Sequence, residues 1–107
     1  MLKGHLDMIV LATLSSGPAH GYAVIQEIQR RSGGAFELPE GTIYPALHRL
    51  EAKGWIAASW ALSDKGKRAR YYRLTALGRR QLENEQSKWR AFARAIGLIL
   101  NPVEERT

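Results

Sequence analysis

The chain has 107 residues and a mass of 12.0 kDa, which predicts a single domain. Its 45% apolar and 24% charged residues are typical of a globular protein and exclude a disordered chain. The absence of cysteine excludes disulfides and thiolate chemistry and is consistent with a reducing cytosol. No apolar run is long enough to span a membrane, and Asp7 interrupts any signal peptide. We therefore expect a cytoplasmic protein without a membrane partner.

The formal net charge of +6 is concentrated in one segment. Residues 55–94 contain ten lysines and arginines against three acidic residues, a net charge of +7. Residues 1–54 are neutral overall, and residues 95–107 carry −1. A localised basic excess indicates a polyanionic partner, with nucleic acid ahead of an acidic membrane surface.

Two helices are predicted at the start of the chain. Apolar residues over 6–14 surround most of the first helix, which is typical of a helix buried in a core or between subunits. A loop over residues 15–18 separates it from a second helix at about residues 20–32, which the pair Gly33-Gly34 ends. His20 is expected to cap or pack at the start of this second helix.

A third helix is predicted to end at Lys53, with Gly54 just beyond its end. Its start has two solutions. Pro45 lacks an amide hydrogen and fits best in the first turn, which predicts Thr42 as the N-cap. The alternative is a start near Pro39, which places Pro45 inside the helix and predicts a kink there.

A β-hairpin and a long helix complete the chain. Residues 55–61 and 69–74 are predicted strands around a basic tip, and one of Tyr71 and Tyr72 is expected to pack in the core. Thr75 is the predicted N-cap of a helix that ends near Leu100, before Asn101-Pro102.

This order of elements predicts a mainly α fold with a small β-hairpin, arranged as a winged helix-turn-helix followed by a long C-terminal dimerisation helix. We expect residues 1–74 to form the DNA-binding domain and residues 75–107 the dimerisation helix with a short tail, in one compact unit. The last helix carries a seam of residues spaced by three and four. Its apolar members, the predicted dimerisation residues, are Leu82, Trp89, Phe92, Ile96 and Ile99.

Two elements are predicted to bind double-stranded DNA. The third helix is the candidate recognition helix, since such a helix lies in the major groove. The hairpin places five cations in nine residues, which neutralisation of phosphates explains. The predicted DNA-binding residues are Thr42, Tyr44, His48, Arg49 and Lys53 on the helix and Lys65, Lys67, Arg68 and Arg70 on the hairpin. A merely solvated helix face and loop are the alternative interpretation.

Trp89 and Phe92 lie one turn apart on the last helix. Their two possible roles are packing in the dimer seam and lining an apolar slot for a small aromatic ligand. The two roles are compatible with each other. The three histidines lie on different elements without metal-ligand spacing, and no catalytic motif is present. The sequence therefore predicts no catalytic residue, no metal and no cofactor, and the protein is not expected to be an enzyme.

Several sequence runs together resemble the PadR family of bacterial transcriptional regulators. They are HGY at residues 20–22, LPEGTIYPALHRLE at 38–51, KG at 53–54 and RYYRLTALG at 70–78. The resemblance covers residues 2 to about 100 and is to the short members with a single C-terminal helix. It implies a dimer formed through the last and first helices, repression of neighbouring genes, often of the regulator's own operon, and a response to small aromatic or amphipathic compounds.

Together these features predict a dimeric, sequence-specific repressor with an operator near its own gene, released by a small aromatic or amphipathic ligand. Its two recognition helices are expected to enter half-sites about 34 Å apart. Constitutive DNA binding without a ligand, a winged-helix protein-interaction module and RNA binding are the alternatives. A steep salt dependence of binding distinguishes the nucleic-acid readings from the interaction module.

Overall fold

The computed structural model describes residues 2–101, with side chains from Gly4 onward. A short 3-10 turn at Leu2–His5 precedes α1 (Leu6–Leu14), β1 (Ala19–His20), α2 (Gly21–Arg31) and α3 (Glu40–Ala52). The remaining elements are β2 (Ile56–Leu62), β3 (Arg68–Leu74) and α4 (Ala76–Leu100). Three helices, a hairpin and a long helix confirm the predicted winged helix-turn-helix with its appended helix. The predicted stop at Pro102 lies outside the described residues.

The core lies between α1, α2 and α3 and is closed by the base of the hairpin. The apolar character of α1 is explained by its central position, because its residues pack against α2, α3 and α4. Of the two adjacent tyrosines, Tyr72 is the one in the core. The buried apolar residues are Leu6, Val10, Leu11, Leu14, Val24, Ile28, Ile43, Ala46, Leu47, Leu50, Ile56, Tyr72, Leu74 and Leu82.

The prediction of Thr42 as the N-cap of α3 is wrong. Pro39 caps the helix, and its carbonyl accepts hydrogen bonds from the amides of Thr42 at 2.9 Å and Ile43 at 3.1 Å. Pro45 lies inside a helix that continues from Glu40 to Ala52. Only the carbonyl of Gly41 loses its helical donor, and Gly41 is exposed, so water can replace that donor.

The predicted C-terminal end of α3 and the predicted start of α4 are confirmed. Gly54 adopts a φ of 78° just beyond α3, and its amide donates to Glu51 while the Trp55 amide donates to Leu50, the two bonds of a Schellman motif. Thr75 caps α4, since its Oγ1 accepts a hydrogen bond from the Gly78 amide at 3.0 Å. The caps therefore fix where α3 ends before the hairpin and where α4 begins after it.

The sheet has three antiparallel strands in the order β1-β3-β2 rather than the two predicted. β1 pairs Ala19 with Tyr72 and His20 with Tyr71. Two residues are too few to give an alternating pattern, so sequence periodicity could not reveal this strand. β2 extends to Leu62, one residue beyond the prediction, and the connecting turn at residues 63–67 is correspondingly shorter.

α4 begins against the body of the protein and extends away from it. Its buried residues, Gly78 and Leu82, lie in its first two turns. From residue 87 onward its side chains are exposed apart from Gly97, and the molecule measures 64 × 29 × 21 Å. Among the described helices, none is long and apolar enough to cross a membrane.

Candidate nucleic-acid interface

A groove of about 620 Å³ separates the hairpin from the start of α2 and from α3. The hairpin wall carries one acidic side chain, that of Asp64, and four cationic ones, those of Lys65, Lys67, Arg68 and Arg70. The facing wall carries side chains that donate hydrogen bonds, those of Tyr22, Gln26 and Tyr44. Cations opposite neutral donors are the groups that contact a sugar–phosphate backbone in protein–DNA complexes.

Tyr44 is positioned by the backbone of α2. A Cβ atom on Gly21 would lie 2.5 Å from Cζ and 2.6 Å from Oη of Tyr44, so only glycine allows the ring to lie there. Burial of the ring, together with the nearby Glu40 carboxylate, raises the pKa of Tyr44. The phenol therefore stays protonated near neutral pH and can donate a hydrogen bond into the groove.

His20 joins α2 to the hairpin, in the capping role that the sequence predicts. Its Nδ1 accepts a hydrogen bond from the Ala23 amide at 3.1 Å. Its ring packs edge-on against Tyr71, with 5.3 Å between the ring centroids. These contacts fix one wall of the groove relative to the other.

One face of the hairpin is buried at the base of the hairpin, and the same face lines the groove further along the strands. Beyond the buried Tyr72, this face presents two cross-strand pairs, Trp60 with Arg70 and Leu62 with Arg68. The Arg68 guanidinium lies 4.9 Å from the centre of the Trp60 ring, within the range of a cation–π contact. Trp60 is 57% exposed, so a large apolar surface accompanies the cations.

The sequence did not assign several residues of the groove to DNA binding, and Tyr22, Gln26 and Trp60 are large side chains among them. A signal was available for Trp60, because its even spacing from the core residue Ile56 places both on one face of β2. No comparable signal was available for Tyr22 and Gln26, since only the packing of α2 beside the hairpin shows that they line the groove.

The predicted residues of α3 lie on more than one side of the helix. Tyr44 faces the groove. Thr42 and Arg49 instead line a second depression of about 640 Å³ on the side toward α1 and α4, and Lys53 lies on that side too. His48 is exposed. The structure therefore brings Tyr44 together with the hairpin cations and places the other predicted residues of the helix outside that groove.

Carboxylates hold cations on both flanks of α3. Arg49 donates to Asp7 of α1 at 2.5 Å, and Lys53 lies 3.8 Å from the same carboxylate. On the groove side, Arg70 of β3 donates to Glu51 of α3 at 2.6 Å. Two of the predicted DNA-binding arginines are thus engaged within the protein.

A second candidate site lies on α4. The Trp89 ring packs edge-on against His5 with 5.0 Å between centroids, and Phe92 lies 5.8 Å from Trp89. These rings line an open pocket of about 370 Å³ together with Met8 and Lys88. An apolar floor with a few polar groups at its edge is suited to a small aromatic molecule.

The predicted seam divides into a buried and an exposed part. Leu82 is buried in the core of its own chain. Trp89, Phe92, Ile96 and Ile99 are exposed, Ile99 to 73%. An apolar stripe of this kind on a projecting helix leaves surface that a partner can cover. Within residues 2–101, no cluster of histidine and acidic side chains could hold a metal ion.

Comparison with protein families gives a match to the transcriptional regulator PadR-like family over residues 10–84. The chain is 36% identical to an uncharacterized protein from Lysinibacillus sphaericus, over 97% of this chain and 95% of that one. It is 32% identical to a transcriptional regulator from Mycobacterium tuberculosis, over 81% of this chain and 78% of that one.

Solved structures agree with the sequence comparisons. A PadR-like transcriptional regulator from Bacillus cereus superposes with a TM-score of 0.84 at 28% identity, over 94% of this chain and 96% of that one. A PadR family transcription regulator from Clostridium difficile has a TM-score of 0.78 at 31% identity, over 91% and 99% of the two chains. The shared fold covers the hairpin and α4 as well as the three-helix core.

Proposed function

The chain belongs to the PadR-like family of transcriptional regulators, and from that premise we propose that it is a dimeric repressor with an operator near its own gene. The family and fold are those of DNA-binding regulators rather than enzymes. The groove between the hairpin and α3, with four cations facing Tyr44, is the observation that carries the proposal.

In this proposal residues 1–74 bind DNA and residues 75–107 join two copies. α3 enters the major groove, where Thr42, His48, Arg49 and Lys53 approach base edges or flanking phosphates. The hairpin follows the backbone, and its cations Lys65, Lys67, Arg68 and Arg70 neutralise phosphates while Tyr44 donates a hydrogen bond.

The apolar stripe of α4 supports the dimer. Trp89, Phe92, Ile96 and Ile99 repeat at steps of three and four on an exposed helix face, which is the spacing of a helix–helix seam. A second copy offers the same stripe, so the two cover each other under two-fold symmetry. Such a dimer carries two α3 helices, as two half-sites about 34 Å apart require.

The DNA proposal is tested by fluorescence anisotropy with a labelled duplex from just upstream of this protein's own gene. A scrambled duplex of equal length and composition serves as competitor. Binding that the scrambled duplex cannot compete away supports a specific regulator. Weak, salt-sensitive binding to both duplexes contradicts an operator in that region.

The dimer is tested with Ile96→Glu. Two glutamates in an apolar seam lose hydration without gaining a partner, so the variant should elute as a monomer while its far-ultraviolet circular dichroism stays helical. Arg90→Glu, an exposed change on the same helix, is the control and should stay dimeric. If Ile96→Glu remains dimeric, the seam is not the interface.

The pocket beside Trp89 supports a ligand that releases the repressor. Its rings lie on the seam, so a bound aromatic compound would change the spacing or angle of the two α3 helices. Planar aromatic compounds are titrated against the protein–DNA complex of the wild type and of Trp89→Ala. Release by a compound in the wild type alone supports this site. If no compound causes release in either protein, DNA binding is constitutive.

A winged-helix module for protein partners and an RNA-binding protein are the competing functions. The cationic groove favours nucleic acid over the protein module, and a helix free to enter a major groove favours DNA over RNA. Competition with double-stranded RNA separates the last two, because a DNA regulator should retain its duplex in the presence of that competitor.

A further inference from the structure

Two ion pairs hold α3 from opposite sides. Arg49 of α3 is bound to Asp7 of α1, and Arg70 of β3 is bound to Glu51 of α3. Neither pair is buried: the arginine side chains are 45% and 41% exposed. Each guanidinium is thus engaged by a carboxylate but remains within reach of a second anion.

The guanidinium donors in these pairs are groups that a phosphate can also use. A guanidinium presents a rigid fork of donors that suits carboxylates and phosphates alike. While Asp7 and Glu51 accept from Nη2 of the two arginines, those donors are not available to a DNA backbone. Lys53, 3.8 Å from Asp7, is held on the same flank.

The distribution of the pairs is selective. Lys65 and Lys67 at the hairpin tip have no acidic side chain within ion-pair distance among the described residues. Among the cations predicted to bind DNA, those paired with a carboxylate are Arg49, Lys53 and Arg70, which lie on α3 or are bound to it. Carboxylates therefore lie beside α3, the helix proposed to enter DNA. The cations of the hairpin tip can attract the phosphates of DNA of any sequence.

We propose that Asp7 and Glu51 determine the specificity of DNA binding by competing with phosphate for Arg49 and Arg70. This inference rests on the proposed function. In the free protein the two carboxylates occupy the arginines and repel the backbone of a duplex that fits poorly. A duplex that seats both α3 and the hairpin supplies enough contacts to displace the carboxylates, and the two arginines then bind DNA.

The test uses Asp7→Asn and Glu51→Gln, which remove the charge and keep the side-chain shape. Binding to a labelled duplex of arbitrary sequence, about 20 base pairs long, is measured by anisotropy over a range of salt concentrations. Each variant should bind about three- to tenfold more tightly at low salt. The slope of log affinity against log salt should steepen by up to about 0.9, the value for one additional phosphate contact.

Glu83→Gln is the matched control, because it removes one negative charge from an exposed position on α4. It should leave the slope unchanged. A second control combines Asp7→Asn with Arg49→Gln: once the arginine is gone, Asp7→Asn should lose most of its effect. Circular dichroism and thermal unfolding establish that each variant is folded.

Two results would overturn the inference. If Asp7→Asn and Glu51→Gln change the affinity and the salt slope no more than Glu83→Gln does, any change reflects only the loss of one negative charge. If they bind DNA more weakly than the wild type, the carboxylates orient the arginines toward DNA. Failure of the proposed function looks different: the wild type itself would then show no salt-dependent binding to any duplex, and the inference would fail with it.

Discussion

The ring of Tyr44 lies against the backbone of Gly21, where a Cβ atom would come within 2.5 Å of Cζ of the tyrosine. This contact joins the first turn of α2 to the first half of α3 and aims the phenol at the cationic wall of the groove. It also explains why a glycine follows the helix cap His20, since any side chain at that position would displace the tyrosine.

Gly21→Ala should therefore weaken DNA binding and destabilise the protein. The added methyl group forces the ring out of its place, and overpacking of this kind costs about 1–3 kcal/mol. Chemical denaturation measures the loss of stability, and anisotropy with a duplex measures binding.

Gly41→Ala provides the control for stability. It is also a glycine in the first turn of a helix, but a Cβ atom there has nothing within 4 Å. Its stability should be equal to that of the wild type or higher, because alanine favours the helix. Equal stabilities of Gly21→Ala and Gly41→Ala would contradict the role of the Tyr44 contact.

The hairpin tip should contribute to binding mainly through charge. Replacing Lys65 and Lys67 together by glutamine removes two phosphate contacts, so the slope of log affinity against log salt should fall in magnitude by up to about 1.8, or 0.9 for each contact. The loss should be similar for specific and arbitrary duplexes, because phosphates carry no sequence information. Arg90→Gln on α4 should leave the slope unchanged, and an unchanged slope in the double variant would place the tip away from DNA.

Most of the fold could be predicted because its signals are local. Thr75 as a helix cap and Gly54 as a helix terminator are encoded within a few residues of the boundary that they set. The start of α3 was mispredicted because two rules competed there. Pro45 favours a first turn, but the helix begins earlier, where the carbonyl of Pro39 accepts the first hydrogen bonds. Pro45 is tolerated inside the helix because the hydrogen bond that it cannot donate would go to a carbonyl at the exposed start of the helix.

The candidate site was predicted less completely because it depends on contacts between distant residues. The sequence identifies the cations of the hairpin, but it does not show that Arg70 is bound to Glu51 or that Arg49 is bound to Asp7, 42 residues away. Such pairs follow from the way the elements pack. The position of each charge could be predicted from the sequence, and its partner could not.

Stability should depend on pH through Glu27. Hydrogen bonds from Arg30, then from Arg31, lower the pKa of this carboxyl from 4.5 to about 2. A depressed pKa in the folded state means that the stabilisation is present above pH 4.5 and is lost as the pH falls toward 2. Arg31 also donates to Ser16 and to the Ala12 carbonyl, so the cluster ties α2 to the end of α1.

Thermal unfolding of the wild type and of Glu27→Gln as a function of pH measures this effect. The wild type should be the more stable near neutral pH, and the difference should disappear as the carboxyl becomes protonated. Because the cluster is exposed to solvent, added salt should reduce the difference. A stability difference that stays constant through the acidic range would assign the role of Glu27 to packing instead of charge.

Gly78 should be the most sensitive glycine of α4. A Cβ atom there would lie 2.9 Å from the carbonyl carbon of Trp55 and closer still to its oxygen, which accepts hydrogen bonds from both the amide and the hydroxyl of Thr75. Gly78→Ala should push the first turn of α4 away from the base of the hairpin and lower the free energy of unfolding by about 1–3 kcal/mol.

Gly97→Ala on the same helix is the comparison, because a Cβ atom there has nothing within 4 Å. It should leave the protein equally stable or stabilise it by up to about 1 kcal/mol, since alanine is the better helix former. Urea denaturation followed by circular dichroism, at equal protein concentrations, separates the two variants. If Gly78→Ala were as stable as Gly97→Ala, the close approach of α4 to Trp55 could not be what fixes the helix against the hairpin.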